Sequence, residues 1–407
     1  MATVKSALPV VLDLSGRLVV AVGGGPVSAR RIATFVAEGA RVRVIAPWVC
    51  EDLVDLVRAG RVEWQAREYA GPADLEGAWL VHTATGESTD ALVGAAAEAA
   101  RVWCVDATDA AATAASLPAR AKVATPDGDV TVSVYAGGDP GLAREVREGV
   151  DLALSNGTLD LRRHRPRPGQ GWVALVGGGP GDGGLLTARG QVLLASADVV
   201  VVDRLAPRSV VDRLPDSVRV IDVGKTPGHH AVPQDRINEI LVEEAQRGHG
   251  VVRLKGGDPY VLGRGGEERD ACRAHGIRVE VVPGVTSAVS VPAAAGIPVT
   301  HRGVARGFTV VTGHDEVPAL PTGRDHTIVL LMGVSTLRHT TELLMRHGRD
   351  ASCPVAIVER GFDPTQRTTF GDLRSIADRA EAVGVESPAV IVVGDVVTLS
   401  PEFEVAG

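Results

Sequence analysis

Residues 251–268 read VVRLKGGDPYVLGRGGEE, and this stretch decides the fold. Val251, Val252 and Leu254 predict a buried strand that breaks at Gly256, Gly257, Asp258 and Pro259. A second glycine cluster follows at Gly263, Gly265 and Gly266. Two glycines and an Asp-Pro at a strand end expose backbone N–H and C=O groups at the carboxyl edge of a sheet, where α/β proteins hold ligands. Asp258 adds an acceptor for a ribose or amino group, and Arg253, Lys255 and Arg264 bring positive charge to the same place. A loop so rich in unusual backbone and mixed charge costs stability, which points to function.

Working outward, the same half carries WVALVGGGPGDGGLLTARG (172–190), VVVDRL (200–205), VGKTPG (223–228), VVPGVTSA (281–288) and GIPVTHR (296–302). The helix QDRINEILVEEAQRG shows apolar spacing at Ile237, Ile240, Leu241 and Ala245, with Gly248 as its stop. Prolines and small residues at 283–300 mark a crossover, and FTVVTG, TIVLLMG, CPVAIVE and PAVIVVG predict further strands.

The N-terminal half opens with GRLVVAVGGG, an apolar strand ending in Gly23, Gly24 and Gly25. The helix SARRIATFVAEG follows, and Arg41 to Ala46 alternates as the next strand. Gly23, Gly25 and Ser28 fit G-x-G-x-x-small with a strand before and a helix after, the dinucleotide setting. A pyrophosphate would sit over the helix N-terminus near Gly25, Pro26 and Val27. The acidic residue expected at the end of the second strand is missing; Pro47 and Trp48 stand there, so charge does not decide between NAD and NADP. Strands are also expected at 79–83, 102–105 and 130–135. The Arg-, Pro- and Gly-rich stretch before Trp172 reads as a linker.

Composition bounds the rest. A chain of 407 residues, 45% hydrophobic, suggests two or three domains. No apolar run reaches the length of a membrane span, and the N-terminus lacks a signal-peptide layout. Cys50, Cys104, Cys272 and Cys353 are far apart and have no zinc-ligand spacing. Free thiols in a reducing cytoplasm are therefore expected, and no metal site; His229 and His230 have no third ligand nearby in sequence. The net charge of -8 argues against a nucleic-acid partner. Only four of the 42 basic residues are lysines, namely Lys5, Lys122, Lys225 and Lys255. Two of these lie inside glycine-flanked motifs, which marks them as places that need lysine chemistry or shape.

Taken in order, the C-terminal motifs resemble uroporphyrinogen-III C-methyltransferase, an S-adenosylmethionine-dependent tetrapyrrole methylase, from about Gly171 to Val397. The N-terminal part resembles, more loosely, the precorrin-2 dehydrogenase module fused to this methylase in siroheme synthases. From glycine patterns alone, two Rossmann domains would be expected. The resemblance implies instead an α/β chain with a Rossmann-like NAD-binding domain at 1–156, a linker at 157–170 and a two-subdomain tetrapyrrole methylase at 171–407, divided near 295.

The resemblance also implies roles. Asp203 is the proton acceptor and Lys225 the proton donor. The methyl donor is held by Pro180, Gly256, Gly257, Asp258, Val261, Thr286, Ser287, Met332 and Gly361; the family often has isoleucine where Val261 stands. NAD is held by Gly23, Gly25, Pro26, Val27, Pro47 and Trp48. A substrate with eight carboxylates needs fixed donors, for which Arg204, Arg253, Arg264, His301 and Arg302 are candidates. The dehydrogenase base is Asp106 or Asp109: Asp106 keeps register with the strand, and Asp109 lies close to the register counted back from Leu117-Pro118. The family's serine-rich turn appears here as YAGG (135–138), and the family's helical segment before the linker is shortened. Both departures bear on dehydrogenation and, more, on insertion of Fe2+, and the second on the homodimer that the family implies. A second reading keeps the methylase and makes the N-terminal module a non-catalytic nucleotide or tetrapyrrole sensor.

Overall fold

The computed structural model describes residues 8–109, 113–162, 171–224, 232–312 and 320–403. The chain forms two compact units. The first comprises 1–121 and 131–150, the second 122–130 and 151–407.

In the first unit, β1 (Leu18–Val22), α1 (Pro26–Ala37), β2 (Arg41–Ile45), α2 (Glu51–Arg58), β3 (Val62–Gln65), β4 (Leu80–Thr83), α3 (Ser88–Ala99) and β5 (Trp103–Asp106) alternate. The strands form a parallel sheet in the order β3-β2-β1-β4-β5. β1 is buried along its whole length because apolar clusters cover both of its faces: Val19 and Ala21 face one, Leu18, Val20 and Val22 the other. A hairpin of β6 (Ala119–Thr125) and β7 (Gly128–Val134) follows, then α4 (Pro140–Ser155). The hairpin tip groups with the second unit, where Asp127 accepts a hydrogen bond from the Trp172 indole at 3.2 Å.

The second unit begins with β8 (Trp172–Gly177), α5 (Ala188–Ala195), β9 (Val199–Val202), α6 (Arg208–Val211), β10 (Arg219–Asp222), α7 (Gln234–Gln246), β11 (Gly250–Lys255), α8 (Gly265–Ala274) and β12 (Arg278–Val282). Their parallel sheet has the order β10-β9-β11-β8-β12. The two-residue period sorts its side chains. Val200, Val202, Val252 and Leu254 enter one apolar layer. Val199, Val201 and Val251 enter the other, against Ile237 and Leu241 of α7 and Cys272 of α8. Each such buried aliphatic side chain contributes about 1.5–3 kcal/mol. Arg253 and Lys255 share the face of Val251, so the strand carries two cations into the layer beneath α7 and α8.

After α9 (Ser287–Ala294) come β13 (Gly307–Thr312), β14 (His326–Leu331), α10 (Leu337–Arg346), β15 (Pro354–Glu359), β16 (Arg367–Asp372), α11 (Ile376–Val383) and β17 (Ala389–Val393). Here the sheet is mixed, in the order β13-β14-β17-β15-β16. β14 and β15 both run antiparallel to β17, so their carboxyl ends share one edge.

Candidate active site

Three glycine turns meet at the carboxyl edge of the β8–β12 sheet. Gly179 and Gly257 exchange backbone hydrogen bonds of 3.2 and 2.7 Å, and Gly178 donates to the Lys255 carbonyl at 2.7 Å. The approach admits no side chain. A Cβ on Gly284 would stand 2.2 Å from the Gly257 oxygen, and one on Gly177 would stand 2.5 Å from the Gly284 Cα. Asp258 ties two of the turns: its Oδ1 accepts from the Tyr260 N–H at 2.8 Å, and its Oδ2 from the Gly284 N–H at 2.9 Å. The carboxylate thus sets the shape of the cradle, a role that the sequence did not reveal. Gly257 also lies against the start of α9, 3.6 Å from the Ser287 nitrogen, measured from its Cβ position. Thr286 caps that helix through the Ala288 N–H.

The β13–β17 sheet supplies the opposite side. Met332 follows β14, Gly361 follows β15, and the Gly361 carbonyl lies 3.9 Å from the Cβ position of Gly181. Val261 packs on the core that Val291, Val358 and Val390 build. Leu262, Arg264, Met332, Arg360 and Phe362 all hold left-handed backbone, with φ between +47° and +66°. Such residues cost roughly 1–3 kcal/mol each and gather where a site over-determines the chain. Pro180, Gly256, Gly257, Asp258, Val261, Thr286, Ser287, Met332 and Gly361 are therefore placed around the turns and the facing edge. A cradle closed to a Cβ at Gly177, Gly178, Gly256 and Gly284 and rimmed by strained loops fits a methyl donor that lies against backbone.

Beneath the turns lies a charged set. Arg253 is 2% exposed. Its Nε donates to Glu268 Oε1 at 3.0 Å and its second terminal nitrogen to Asp203 Oδ1. Lys255, 3% exposed, donates to both Glu268 oxygens at 2.9 Å. Gln234 of α7 adds a donor to Glu268 Oε1 at 3.2 Å. Burial pushes the Lys255 ammonium below its ordinary value, with Arg253 acting in the same sense, while Glu268 and Asp203 pull it back. The sequence offered Arg253 as an anchor for substrate carboxylates; the structure corrects this, because its guanidinium already serves two carboxylates of the protein. Glu268 was missed. Its signal was the i, i+2 pair of cations on one face of a buried strand, which demands an anion in the layer above.

Asp203 follows β9 and its side chain is 29% exposed, so it joins the charged set to the open edge. Arg204 and Arg264 are exposed, the latter paired with Glu267 at 2.7 and 2.9 Å. His301 and Arg302 are exposed on a separate turn, with the His301 ring 3.0 Å from the Arg302 carbonyl. Lys225, His229 and His230 lie outside the described residues. Among the described residues, no group of three or more His, Cys, Asp or Glu could hold a metal ion.

The first unit has its own cradle. Gly23 has φ +117°, and a Cβ on Gly24 would stand 1.9 Å from the Trp48 carbonyl. Gly25 caps α1 with Pro26 in the first turn. Pro26, Val27, Pro47 and Trp48 are exposed around it. Ser28 is fully buried and its hydroxyl has no hydrogen-bond partner among the described residues. An open helix N-terminus beside a glycine turn fits a dinucleotide pyrophosphate.

At the same edge Asp106 is 7% exposed. Its Oδ1 accepts from the Thr108 N–H and hydroxyl, both at 2.7 Å, and from the Asp109 N–H at 3.1 Å. Asp106 thus brackets the turn on which exposed Asp109 stands. Register with the strand favours Asp106, while accessibility favours Asp109.

A Rossmann-type unit joined to two α/β layers with a glycine cradle defines a two-site nucleotide-cofactor protein. The family model for Tetrapyrrole (Corrin/Porphyrin) Methylases matches residues 173–377, and an NAD(P)-binding model matches 10–119. Siroheme synthase 3 of Aeromonas hydrophila is 36% identical over 97% of this chain and 96% of its own length. That alignment runs over 460 positions, more than the 407 residues present here, so the relative carries segments that this chain lacks. The S-adenosyl-L-methionine-dependent uroporphyrinogen III methyltransferase of Methanosarcina barkeri is 50% identical over 56% of this chain and 93% of its own length. The solved structure of a cobalamin biosynthetic enzyme, cobalt precorrin-4 methyltransferase, covers 59% of this chain and all of its own at 24% identity and a TM-score of 0.50, a likeness of fold alone. The chain belongs to the siroheme synthase family.

Proposed function

We propose that this chain transfers methyl groups from S-adenosylmethionine to two pyrrole carbons of uroporphyrinogen III, giving precorrin-2, and then oxidises that product with NAD to sirohydrochlorin. Family membership along nearly the whole chain supports both steps. The observation that carries the first is Asp203, partly exposed at the carboxyl edge that bears the glycine cradle and bonded from beneath by a buried arginine. The functional division follows: 1–156 for oxidation, 157–170 as linker, and 171–407 for methylation, with subdomains meeting near 295.

S-adenosylmethionine supplies a methyl group already activated on a sulfonium. The protein's work is alignment, where orientation contributes up to roughly 7–11 kcal/mol. The three glycine turns hold the donor close to backbone, with Pro180, Thr286, Ser287, Met332 and Gly361 around it. Exposed Arg204, Arg264, His301 and Arg302 receive substrate carboxylates. Once the new carbon–carbon bond has formed, a ring-adjacent carbon must lose a proton. Asp203 accepts it, and Lys225 is assigned the donor role.

In the first unit, NAD supplies the hydride acceptor. The N-terminus of α1, with Gly23, Gly25, Pro26 and Val27, holds the pyrophosphate, and Pro47 and Trp48 flank the adenosine. Asp109 takes the proton released as the hydride leaves, and Asp106 fixes its turn. Insertion of ferrous iron, as substrate, is the third step of the proposal, the one that yields the siroheme for which the family is named. Four free cysteines fit a reducing cytoplasm, and among the described residues no helix is long and apolar enough to cross a membrane. A homodimer completes the proposal and is checked by sedimentation.

The test of the methylase is donor binding. Asp258→Ala should release the clamp on Gly284 and abolish measurable affinity for S-adenosylmethionine in calorimetry. Unchanged affinity would sink the assigned cradle.

A further inference from the structure

We propose that Glu268 and Lys255 are positioning residues for methyl transfer, acting through Arg253 to fix the orientation and the charge balance of Asp203. The inference rests on the reading of Asp203 as proton acceptor and extends it to groups that never touch substrate.

The geometry is a chain of alternating charge. The Lys255 ammonium grips both oxygens of Glu268 at 2.9 Å. Glu268 Oε1 holds the Nε edge of Arg253 at 3.0 Å, and the far end of the guanidinium meets Asp203 Oδ1. Guanidinium donors sit in a rigid plane, so clamping one edge aims the other. The remaining acceptors of Arg253, the Val201 and Leu254 carbonyls, lie at 3.4 and 3.5 Å and would hold it weakly. Asp203 Oδ2 has no hydrogen-bond partner among the described residues, which leaves that oxygen to receive a proton.

Packing alone does not explain the set. Glu268 is fully buried, and Arg253 and Lys255 nearly so. A buried ion cluster is often no more stable than apolar side chains of similar volume. In a chain that uses lysine four times, a lysine is kept here, where a compact ammonium reaches both oxygens of one carboxylate.

The charges also tune one another. An arginine bonded to Asp203 alone would make it a poorer base. Glu268 offsets that cation, and Lys255 limits how far the offset goes. The groups facing this set are Asp203 after β9, Arg253 and Lys255 on β11, Glu267, Glu268 and Cys272 on α8 with Arg264 at its cap, and Gln234 on α7. Removing the anion and removing the outer cation must therefore act in opposite directions on the base.

The experiment is the pH profile of kcat for methylation of uroporphyrinogen III by the full chain, kept anaerobic, for wild type, Glu268→Gln, Lys255→Met and Asp203→Asn. Glu268→Gln should move the acid limb to lower pH, and Lys255→Met should move it to higher pH, each by roughly half a unit or more. KM for S-adenosylmethionine should stay within about twofold in both, because neither group lies in the donor cradle. Acid limbs that coincide with wild type, while Asp203→Asn is inactive, overturn the positioning role and leave Asp203 as the base. An active Asp203→Asn overturns the reading beneath it, and the proposal with it. If Glu268→Gln does not fold, Lys255→Met decides alone by the direction of its shift.

Discussion

Each unit brings carboxylates to the carboxyl edge of a parallel sheet, but the two edges satisfy them differently. In the first, Asp90 accepts from the Thr83 hydroxyl, from the Thr85 N–H and hydroxyl at 2.9 and 2.8 Å, and from the Gly86 N–H at 2.9 Å. Asp106 likewise collects neutral donors from its own turn. Burial alone would raise the Asp90 carboxyl, yet these donors hold it below the usual carboxylate range. In the second, Asp203 and Glu268 are answered by Arg253 and Lys255. Neutral donors pin a loop and leave its charge fixed. Cations shared between two carboxylates let one group set the basicity of another. On the proposed reading, buried carboxylates at the first edge build a platform for an accessible base, whereas at the second edge buried Glu268 acts on the accessible Asp203 through Arg253.

The largest effect expected from this contrast concerns the two aspartates of the first unit. Asp109→Asn should lower NADH formation by roughly 10²–10⁴-fold and leave nucleotide affinity intact. Asp106→Asn should instead lower the melting temperature, since a neutral amide serves three donors poorly. Equal loss of turnover in both with no change in melting would break the distinction between platform and base.

A pH effect should come next, confined to the first unit. His82 is fully buried on β4 beside Phe35, with one ring nitrogen 3.1 Å from the Val105 carbonyl and the other without a partner among the described residues. Burial pushes it down to about 4 from an ordinary 6.5. Above pH 6.5 the ring is neutral whether the unit is folded or not. Below that, the unfolded chain takes up a proton that the folded unit refuses until about pH 4, so stability falls by about 3 kcal/mol across the window. Chemical denaturation at several pH values should show this slope, and His82→Gln should flatten it. A slope of the same size in the variant would assign it to other groups.

The glycine turns sharpen the comparison further. Gly24→Ala and Gly284→Ala each place a Cβ against a backbone oxygen, at 1.9 and 2.2 Å. Each should cost about 1–3 kcal/mol of cofactor affinity, roughly 5- to 150-fold, at its own site only. Loss at both sites from one substitution would show that the units do not act separately. The smallest effects belong to the exposed cations. Arg204→Ala, Arg264→Ala and Arg302→Ala should each raise KM for the tetrapyrrole only a few-fold, as befits solvent-screened pairs worth about 0.2–1 kcal/mol. A loss of kcat in any of them would move that residue into the reaction.

The elements themselves were legible. The strand–turn–helix–strand of 16–46 and the buried strand at 251–255 follow from apolar period and glycine stops, and the structure has both. Strand order was not legible from period. Two glycine-ended apolar strands suggest two similar sheets, yet the second unit interleaves its strands as β10-β9-β11-β8-β12 and adds a mixed sheet. Only the family resemblance separated them, because order is fixed by which helices cross which face, and local pattern does not hold that information. The site shows the same limit. Arg253 and Lys255 announced charge at the edge, but alternation says which face a side chain takes and not which partner waits there. Glu268 lies thirteen residues on from Lys255, and only the folding of α8 back over the sheet, against β12 and β8, makes them meet.

The measurement that tests the central claim most directly is an anaerobic reaction of the full chain with uroporphyrinogen III and S-adenosylmethionine, with and without NAD, followed by absorbance and mass. Two sites on one chain predict a dimethylated product that stops at precorrin-2 without NAD and proceeds to sirohydrochlorin with it. A product that stays at precorrin-2 in both would contradict the catalytic reading of the first unit, and no methylation in either would contradict the account as a whole.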